Sequence, residues 1–252
     1  REAYRSLLAT AGITSQPDSY SEDALLLDEP VTVTSLPGFE LGWCSVQDAS
    51  AQLAAELLAP GRGQRVLDAC SAPGGKACHL LERYPEINLS CLDSDKSRLA
   101  MVEDNLTRLN LQAEIVVGDA RNPADWWDGE LYDAILIDAP CTGLGVIRRN
   151  PDIKALRQAG DIDRLAKLQA SILKGLWPCL RPGGTLLYAT CSIAPKENSE
   201  QVGTFLKNHP AAVEREISAT WGITQTQGRQ ILPTDGGGDG FFYALISKPL
   251  QS

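Results

Sequence analysis

The stretch Arg65-Val66-Leu67-Asp68-Ala69-Cys70-Ser71-Ala72-Pro73-Gly74-Gly75-Lys76, running on through Ala77 to Leu81, decides the fold. A short apolar run that passes through a glycine turn into a helical stretch is the opening of a βα unit. Paired glycines let a ligand approach the backbone, and the helix that follows offers unpaired N–H groups at its start, so something small and polar is expected to bind there. The spacing is neither Gly-x-Gly-x-x-Gly nor Gly-x-x-x-x-Gly-Lys-Ser/Thr, which excludes the usual dinucleotide and nucleoside-triphosphate fingerprints.

Outward from this unit, apolar runs near 65–67, 88–92, 114–117, 134–137 and 184–189 alternate with helix-period stretches, the pattern of a doubly wound parallel sheet. Leu165, Leu168, Ile172 and Leu176 recur at spacings of three and four and predict the longest helix over about 161–177. Residues 1–45 read differently, as a small lead-in subdomain. It has a short helix carrying Tyr4, Leu7 and Leu8 that stops near Gly12, then a strand at Val31-Thr32-Val33. A turn at Leu36-Pro37-Gly38-Phe39 is expected to close a hairpin with Leu41 to Trp43. Asp48 is the expected cap of a helix through Leu53, Leu57 and Leu58 that Pro60-Gly61 ends. Near the end, residues 235–240 read as a flexible glycine turn and Phe241 to Ile246 as a last strand. The expected division is therefore 1–45 and 46–252.

The 252 residues are 43% hydrophobic and 22% charged, an ordinary globular balance. No run approaches the roughly 18 apolar residues of a membrane span, and no charged-then-apolar leader opens the chain. A cytoplasmic protein with no membrane partner is the expectation, and a monomer is the default. The chain begins at Arg1 rather than methionine, which allows for a segment upstream. Seven cysteines without a Cys-x-x-Cys pair, and only two histidines, His79 and His209, argue against a disulfide framework or a bound metal. A net charge of −9 argues against holding nucleic acid by bulk electrostatics. A local basic cluster of Arg148, Arg149, Lys154 and Arg157, opposed by Asp152 alone, stands apart from that balance.

Two cysteines follow apolar runs directly: Cys141 after Ile137-Asp138-Ala139-Pro140, and Cys191 after Tyr188-Ala189-Thr190. Both should surface at the sheet edge where open α/β folds bind ligands, and two thiols there point to sulfur chemistry on a bound substrate. The other cysteines, 44, 70, 78, 91 and 179, read as small buried hydrophobes. Carboxylates end three further strands: Asp93, Asp119 and Asp138. An acid past the second strand accepts hydrogen bonds from ribose hydroxyls, a role that Asp93 fits. Asp119 could take an adenine amino group, and Asp138 lies closest to the cysteine crevice.

Asp68 to Lys76, Asp138 to Cys141 and Ala189-Thr190-Cys191-Ser192 resemble the signatures of the S-adenosylmethionine-dependent RNA cytosine-5 methyltransferases, the NOL1/NOP2/Sun family. Gly145 to Lys154, Pro195-Lys196-Glu197-Asn198-Ser199 and Gly238 to Ala244 narrow the resemblance to the bacterial 16S rRNA branch of the RsmB (Sun) type, over about 40–247. It implies a Rossmann-like methyltransferase fold with an antiparallel C-terminal strand, preceded by a small α+β subdomain that is an RNA-binding candidate. It implies S-adenosylmethionine as cofactor, held by Cys70, Ser71, Ala72, Pro73, Gly74, Gly75 and Lys76 with Asp93, Asp119 and Asp138. The implied partner is 16S rRNA, methylated at cytosine 967 in the family's rRNA numbering. RsmB-type proteins also carry an N-terminal helical RNA-binding domain resembling the antiterminator NusB, for which no counterpart is expected in these residues.

Cytosine C5 is a poor nucleophile, so a cysteine thiolate must first add to C6 and push electron density into the ring. The resemblance makes Cys191 that nucleophile and Cys141 the group that helps release product. A Pro-Cys dipeptide supplies the nucleophile in DNA cytosine-5 methyltransferases, so Cys141 is the rival for attack. Lys76 would favour the thiolate, Asp138 would hydrogen-bond or protonate N3 of the base, and Arg148 and Arg149 would take flanking phosphates. The same core motifs allow transfer RNA as substrate, or a non-catalytic RNA-binding assembly factor that keeps the fold.

Overall fold

The computed structural model describes residues 1–18, 20–233 and 238–250. The expected glycine turn falls partly outside these, at 235–237. In chain order the elements are α1 (Glu2–Thr10), β1 (Ser15–Pro17), β2 (Leu25–Leu27), α2 (Ala49–Leu58), β3 (Arg65–Ala69), α3 (Gly75–Arg83), β4 (Asn88–Asp93), α4 (Lys96–Arg108), β5 (Glu114–Val117) and β6 (Tyr132–Asp138). Then follow α5 (Ile153–Leu156), α6 (Ala159–Leu176), β7 (Leu180–Thr190), α7 (Ser199–Asn208), β8 (Val213–Arg215), β9 (Ile223–Thr224), β10 (Arg229–Ile231) and β11 (Phe241–Ser247).

The main sheet runs β5-β4-β3-β6-β7-β11-β10-β9, with β8 also paired to β11. Strands β3 to β7 are parallel, and β11 lies antiparallel to β7. The order reverses between β3 and β6, and there the crevice beyond the carboxyl ends of the strands opens. Helices cover both faces, which explains why the strands read as near-continuous apolar runs. On one face Val66, Leu136, Leu187 and Tyr243 pack with Leu53, Leu80, Leu99 and Val102 of α2, α3 and α4. On the other, Leu67, Ile135, Ile137 and Tyr188 meet Ile172, Leu176, Val202 and Phe205 of α6 and α7. No helix among the described residues is long and apolar enough to cross a membrane.

The parallel strands, the long helix and the last strand lie where the periodicity put them. The Asp48 cap also forms, its carboxylate accepting from the Ser50 N–H at 2.9 Å. Helix α2 runs to Leu58 and stops before Pro60-Gly61 as expected, with Ala59 taking the left-handed conformation at φ 40°.

The strand and hairpin expected over 31–43 are not formed. Val33–Ser35 is a short 3-10 turn, with the Ser35 N–H bonded to the Thr32 carbonyl at 2.9 Å and the Leu36 N–H to the Val33 carbonyl at 3.1 Å. Alternating β-branched residues form a strand only when a sheet edge or an apolar layer receives them, and none does here. Leu41 and Trp43 are exposed, and successive turns bring both of their N–H groups to the Gly38 carbonyl.

Residues 1–45 are fastened to α3 and α4. Arg108 donates to the carbonyls of Phe39 and Cys44, each at 2.9 Å, and its guanidinium lies 4.0 Å from the centre of the Phe39 ring. Asp23 pairs with Arg83, and Leu8 is fully buried.

Candidate active site

Four segments meet beyond the carboxyl ends of β3, β6, β7 and at the entry to β11. The first is the glycine turn. Cys70 leaves the sheet with φ 60°, and Gly74, at φ 98°, caps α3 in a conformation only glycine holds without strain. A Cβ on Gly74 would also press Val102 at 3.1 Å, whereas a Cβ on Gly75 would meet nothing nearer than Gln47 at 3.8 Å. The start of α3 therefore faces open space, and a cavity of about 700 Å³ extends from Gly75 past Gln47 and His79 to Tyr4 and Trp43.

The acids expected around a nucleoside-like ligand are arranged unequally. Asp93, 5% exposed, accepts from the N–H groups of Asp95 at 3.0 Å and Ala72 at 3.3 Å, and so ties the second strand end to the turn. Asp119 is gripped by its neighbour Arg121, which donates to both carboxylate oxygens and holds the acid below its usual range. Asp68, overlooked as a site residue, is fully buried; one oxygen accepts from Ser71 at 2.9 Å and the other has no partner. Burial, then the charge of Asp138, pushes its carboxyl up to about 7. An acid inside an apolar strand was the available signal. A backbone cradle that a Cβ could enter, strand-end acids and an unpartnered buried oxygen fit a small polar donor carrying an amino group and a ribose.

Asp138 and Lys76 meet across the switch point, with Lys76 Nζ 2.7 Å from Asp138 Oδ2 and 5.1 Å from the centre of the Phe241 ring. Burial works against the ammonium, but Asp138 outweighs it and Lys76 ends above its ordinary value.

The two thiols converge. Cys141 Sγ and Cys191 Sγ are 3.4 Å apart, and both are partly accessible. Their proton affinities separate: the hydrogen bond from Cys141 holds Cys191 below the ordinary thiol value, against burial and the charge of Asp138, and Lys76 assists. The same bond, with burial and then the negative charges of Cys191 and Glu197, drives Cys141 well up. Of the two, Cys191 has the lower proton affinity and Cys141 the higher. The remaining buried thiols, Cys78, Cys91 and Cys179, are all pushed up chiefly by burial, Cys78 to about 12 and Cys179 to about 11.

The cysteine loops are held by side chains that the sequence reading gave no role. Glu197 is fully buried and accepts from the Thr142 N–H at 2.9 Å, the Thr142 hydroxyl, the Ser192 hydroxyl and Gln169 Nε2 at 3.2 Å. Asn198 donates to the Ser192 carbonyl at 2.9 Å and to Gln230 Oε1 at 2.7 Å. Glu197 and Asn198 lie in Pro195-Lys196-Glu197-Asn198-Ser199, which was visible as a motif without a function. Gln169 and Gln230 carried no signal at all.

Arg149 is spent largely on Asp239, which takes its guanidinium with both oxygens, and Arg148 lies 3.9 Å from the same carboxylate. Asp239 is fully buried, while the Arg149 side chain is 53% exposed. The backbone N–H of Asp239 donates to both oxygens of Asp48, and the Ser50 hydroxyl to its carbonyl at 2.8 Å. Gly145 binds these parts together: its N–H donates to the Cys191 carbonyl and its carbonyl accepts from the Gly240 N–H, each at 2.9 Å.

The pattern of a family described as "16S rRNA methyltransferase RsmB/F" matches residues 55–247. Proteins named ribosomal RNA small subunit methyltransferase B from Pseudomonas putida and from Vibrio cholerae are each 52% identical, over 249 and 248 residues. Each match covers 98% of this chain but only 57% and 56% of those proteins, so the chain spans little more than half of their length. Among solved structures, that of PH0851 superimposes with a TM-score of 0.92 at 30% identity, covering 98% of this chain and 57% of that one. NSun6 from Pyrococcus horikoshii, solved with SFG, gives 0.79 at 28% identity over 89% of this chain and 59% of that one.

Proposed function

The chain belongs to the 16S rRNA methyltransferase RsmB/F family, and from that premise we propose that it methylates C5 of a cytosine in small-subunit ribosomal RNA through a covalent Cys191 adduct. The nucleotide implied by resemblance is cytosine 967. The observation that carries this reading is the convergence of two thiols of opposite character at 3.4 Å, beside Lys76 and Asp138 and next to a backbone cradle at the start of α3.

S-adenosylmethionine, when bound, supplies an electrophilic methyl. The turn 70–76 would hold it, with Asp93 facing the ribose and Asp68 offering its unpartnered oxygen to the amino group; SFG, bound in the NSun6 structure, is an analogue of this cofactor. Asp119, already neutralised by Arg121, is the weakest member of the expected set. Cys191 adds as thiolate to C6, and a proton from Lys76 passes through Asp138 to N3, so that the ring does not hold the negative charge that the thiolate brings. The methyl would pass from the sulfonium sulfur to C5 as the S–CH3 bond breaks, leaving the neutral thioether of the cofactor in the turn 70–76. Loss of the C5 proton to a base and cleavage of the C6–S bond restore the aromatic ring, with Cys141 positioned to assist release. The exposed half of Arg149 and its neighbour Arg148 would meet flanking phosphates, oriented from behind by Asp239. Residues 1–45 would extend that contact surface along α3 and α4.

The test is transfer of labelled methyl from S-adenosylmethionine to naked small-subunit rRNA, followed by mapping of the modified base. We expect label in 5-methylcytosine at a single position. Label confined to transfer RNA, or to a base other than cytosine, would contradict the reading, and failure to bind S-adenosylmethionine would turn it toward a non-catalytic role.

A further inference from the structure

We propose that Glu197 is a positioning residue that locks the two cysteine loops against each other and keeps the shared proton on Cys141, so that Cys191 is the sulfur that attacks. This rests on the methyltransferase reading above and assigns the residue that decides between its two candidate nucleophiles.

Glu197 touches neither sulfur. It sits behind them, fully buried, in the short 3-10 turn Pro195–Glu197 that follows β7. One carboxylate oxygen accepts from the Thr142 N–H, one residue beyond Cys141, and the other accepts from the hydroxyl of Ser192, one residue beyond Cys191. The Thr142 and Ser192 hydroxyls are themselves 3.2 Å apart. A single side chain thus hooks the residue following each cysteine, across 50 residues of sequence. Gln169 reinforces the hold, donating to Glu197 Oε1 and, at 2.9 Å, to the Pro140 carbonyl on the other side of Cys141. The Tyr188 hydroxyl fixes the Glu197 carbonyl at 2.7 Å. Four donors, with no cation among them, occupy the lone pairs of this one buried carboxylate.

The arrangement is asymmetric, which gives the clamp its second effect. Glu197 accepts from the backbone N–H directly after Cys141 but, on the other loop, only from the Ser192 side chain, and its charge bears on Cys141. Beside Cys191 stands the Lys76–Asp138 ion pair, which carries both signs. Unbalanced negative charge behind Cys141 alone biases the proton of the pair toward it. The other ionisable groups around the pair are Asp138 and Arg149, with the phenols of Tyr188 and Tyr243.

Thiol alkylation reads this directly and needs no RNA. The full chain is treated with limiting iodoacetamide near neutral pH, and modification at each cysteine is quantified by peptide mass spectrometry. The parent should label Cys191 faster than Cys141 by about tenfold or more, since one unit of difference in proton affinity is a tenfold difference in thiolate. In Glu197→Gln, which keeps the shape but loses the charge, that ratio should fall by about tenfold, while Glu197→Asp, one methylene shorter, should retain more of it. Thr142→Val leaves the charge and the backbone N–H hook in place and removes only the Thr142 hydroxyl donor, so it should lower the ratio in the same direction by less, and it serves if Glu197→Gln does not fold. A folded Glu197→Gln or Thr142→Val chain with reduced melting temperature but the parent's labelling ratio would overturn the proposal, leaving Glu197 a purely structural group. Equal labelling of both sulfurs in the parent would overturn it as well. Loss of the methyl-transfer reading is separately visible: a parent that keeps its labelling bias yet moves no methyl to rRNA fails as an enzyme on that RNA, not as a clamped thiol pair.

Discussion

The donor side of the crevice, from Asp68 to Lys76 with Asp93, and the cysteine side, from Asp138 to Thr142 with 190–198, are built in different ways. The first is mostly backbone: a strand, a turn with two residues at positive φ, and a helix start, all within a dozen positions. The second is mostly buried side chains drawn from far apart, with Glu197, Gln169, Asn198, Gln230 and Asp239 each reaching another loop. A ligand that needs N–H groups and space can be served by local conformation. Two sulfurs that must sit in van der Waals contact and titrate differently need a polar network behind them, and such networks are unforgiving when one member is lost.

The contrast can be broken most sharply with glycine. A Cβ on Gly145 would lie 2.0 Å from the Gly240 carbonyl oxygen and 2.8 Å from that of Cys191, so Gly145→Ala must force three backbones apart. We expect a loss of about 3 kcal/mol or more in urea denaturation, together with loss of the Cys191 labelling bias. Lys76→Met, which joins the two sides, should come next. It leaves Asp138 without its cation in a partly enclosed site, for about 2 kcal/mol, and slows alkylation of Cys191 by removing the positive charge beside it.

On the donor side, Asp68 couples the fold to pH. Its carboxyl ordinarily titrates at 3.8 and is pushed up to about 7 in the fold, so between these values the folded chain holds a proton that the unfolded chain has released. The stability tied to this group is complete below the lower value and is lost as pH rises through the upper one. Asp68→Asn removes that slope, and melting curves should show its stability relative to the parent increasing from pH 5 to pH 8, by a few degrees. The smallest stability effect belongs to Gly75→Ala. The position opens onto space and begins a helix, so the fold should change by less than about 1 kcal/mol, while calorimetry with S-adenosylmethionine should show weakened binding.

This division also explains what the sequence disclosed. The parallel strands, the turn 70–76 and the strand-end positions of Asp93, Asp138, Cys141 and Cys191 were legible because each depends on periodicity or on neighbours a few residues away. Glu197 was not, since its partners Thr142 and Gln169 lie 55 and 28 residues off, and nothing local distinguishes a clamp from a surface acid. The basic cluster around Arg149 shows in the sequence, but its pairing with Asp239 spans 90 residues and does not. The place of Asp119 at a strand end is equally legible, whereas the hydrogen bonds that Arg121 donates to both of its oxygens are not. Val31-Thr32-Val33 misled for the opposite reason: local β-propensity was real, but no edge was available to receive it.

Whether Cys191 or Cys141 attacks the base can be observed directly. Small-subunit rRNA carrying 5-fluorocytosine, whose C5 cannot lose a proton, traps the covalent state on denaturing gels. With Cys191 as the nucleophile, a trapped species is expected with the parent and with Cys141→Ala, and none with Cys191→Ala. Trapping by Cys191→Ala and its absence in Cys141→Ala would exchange the two roles and contradict the assignment.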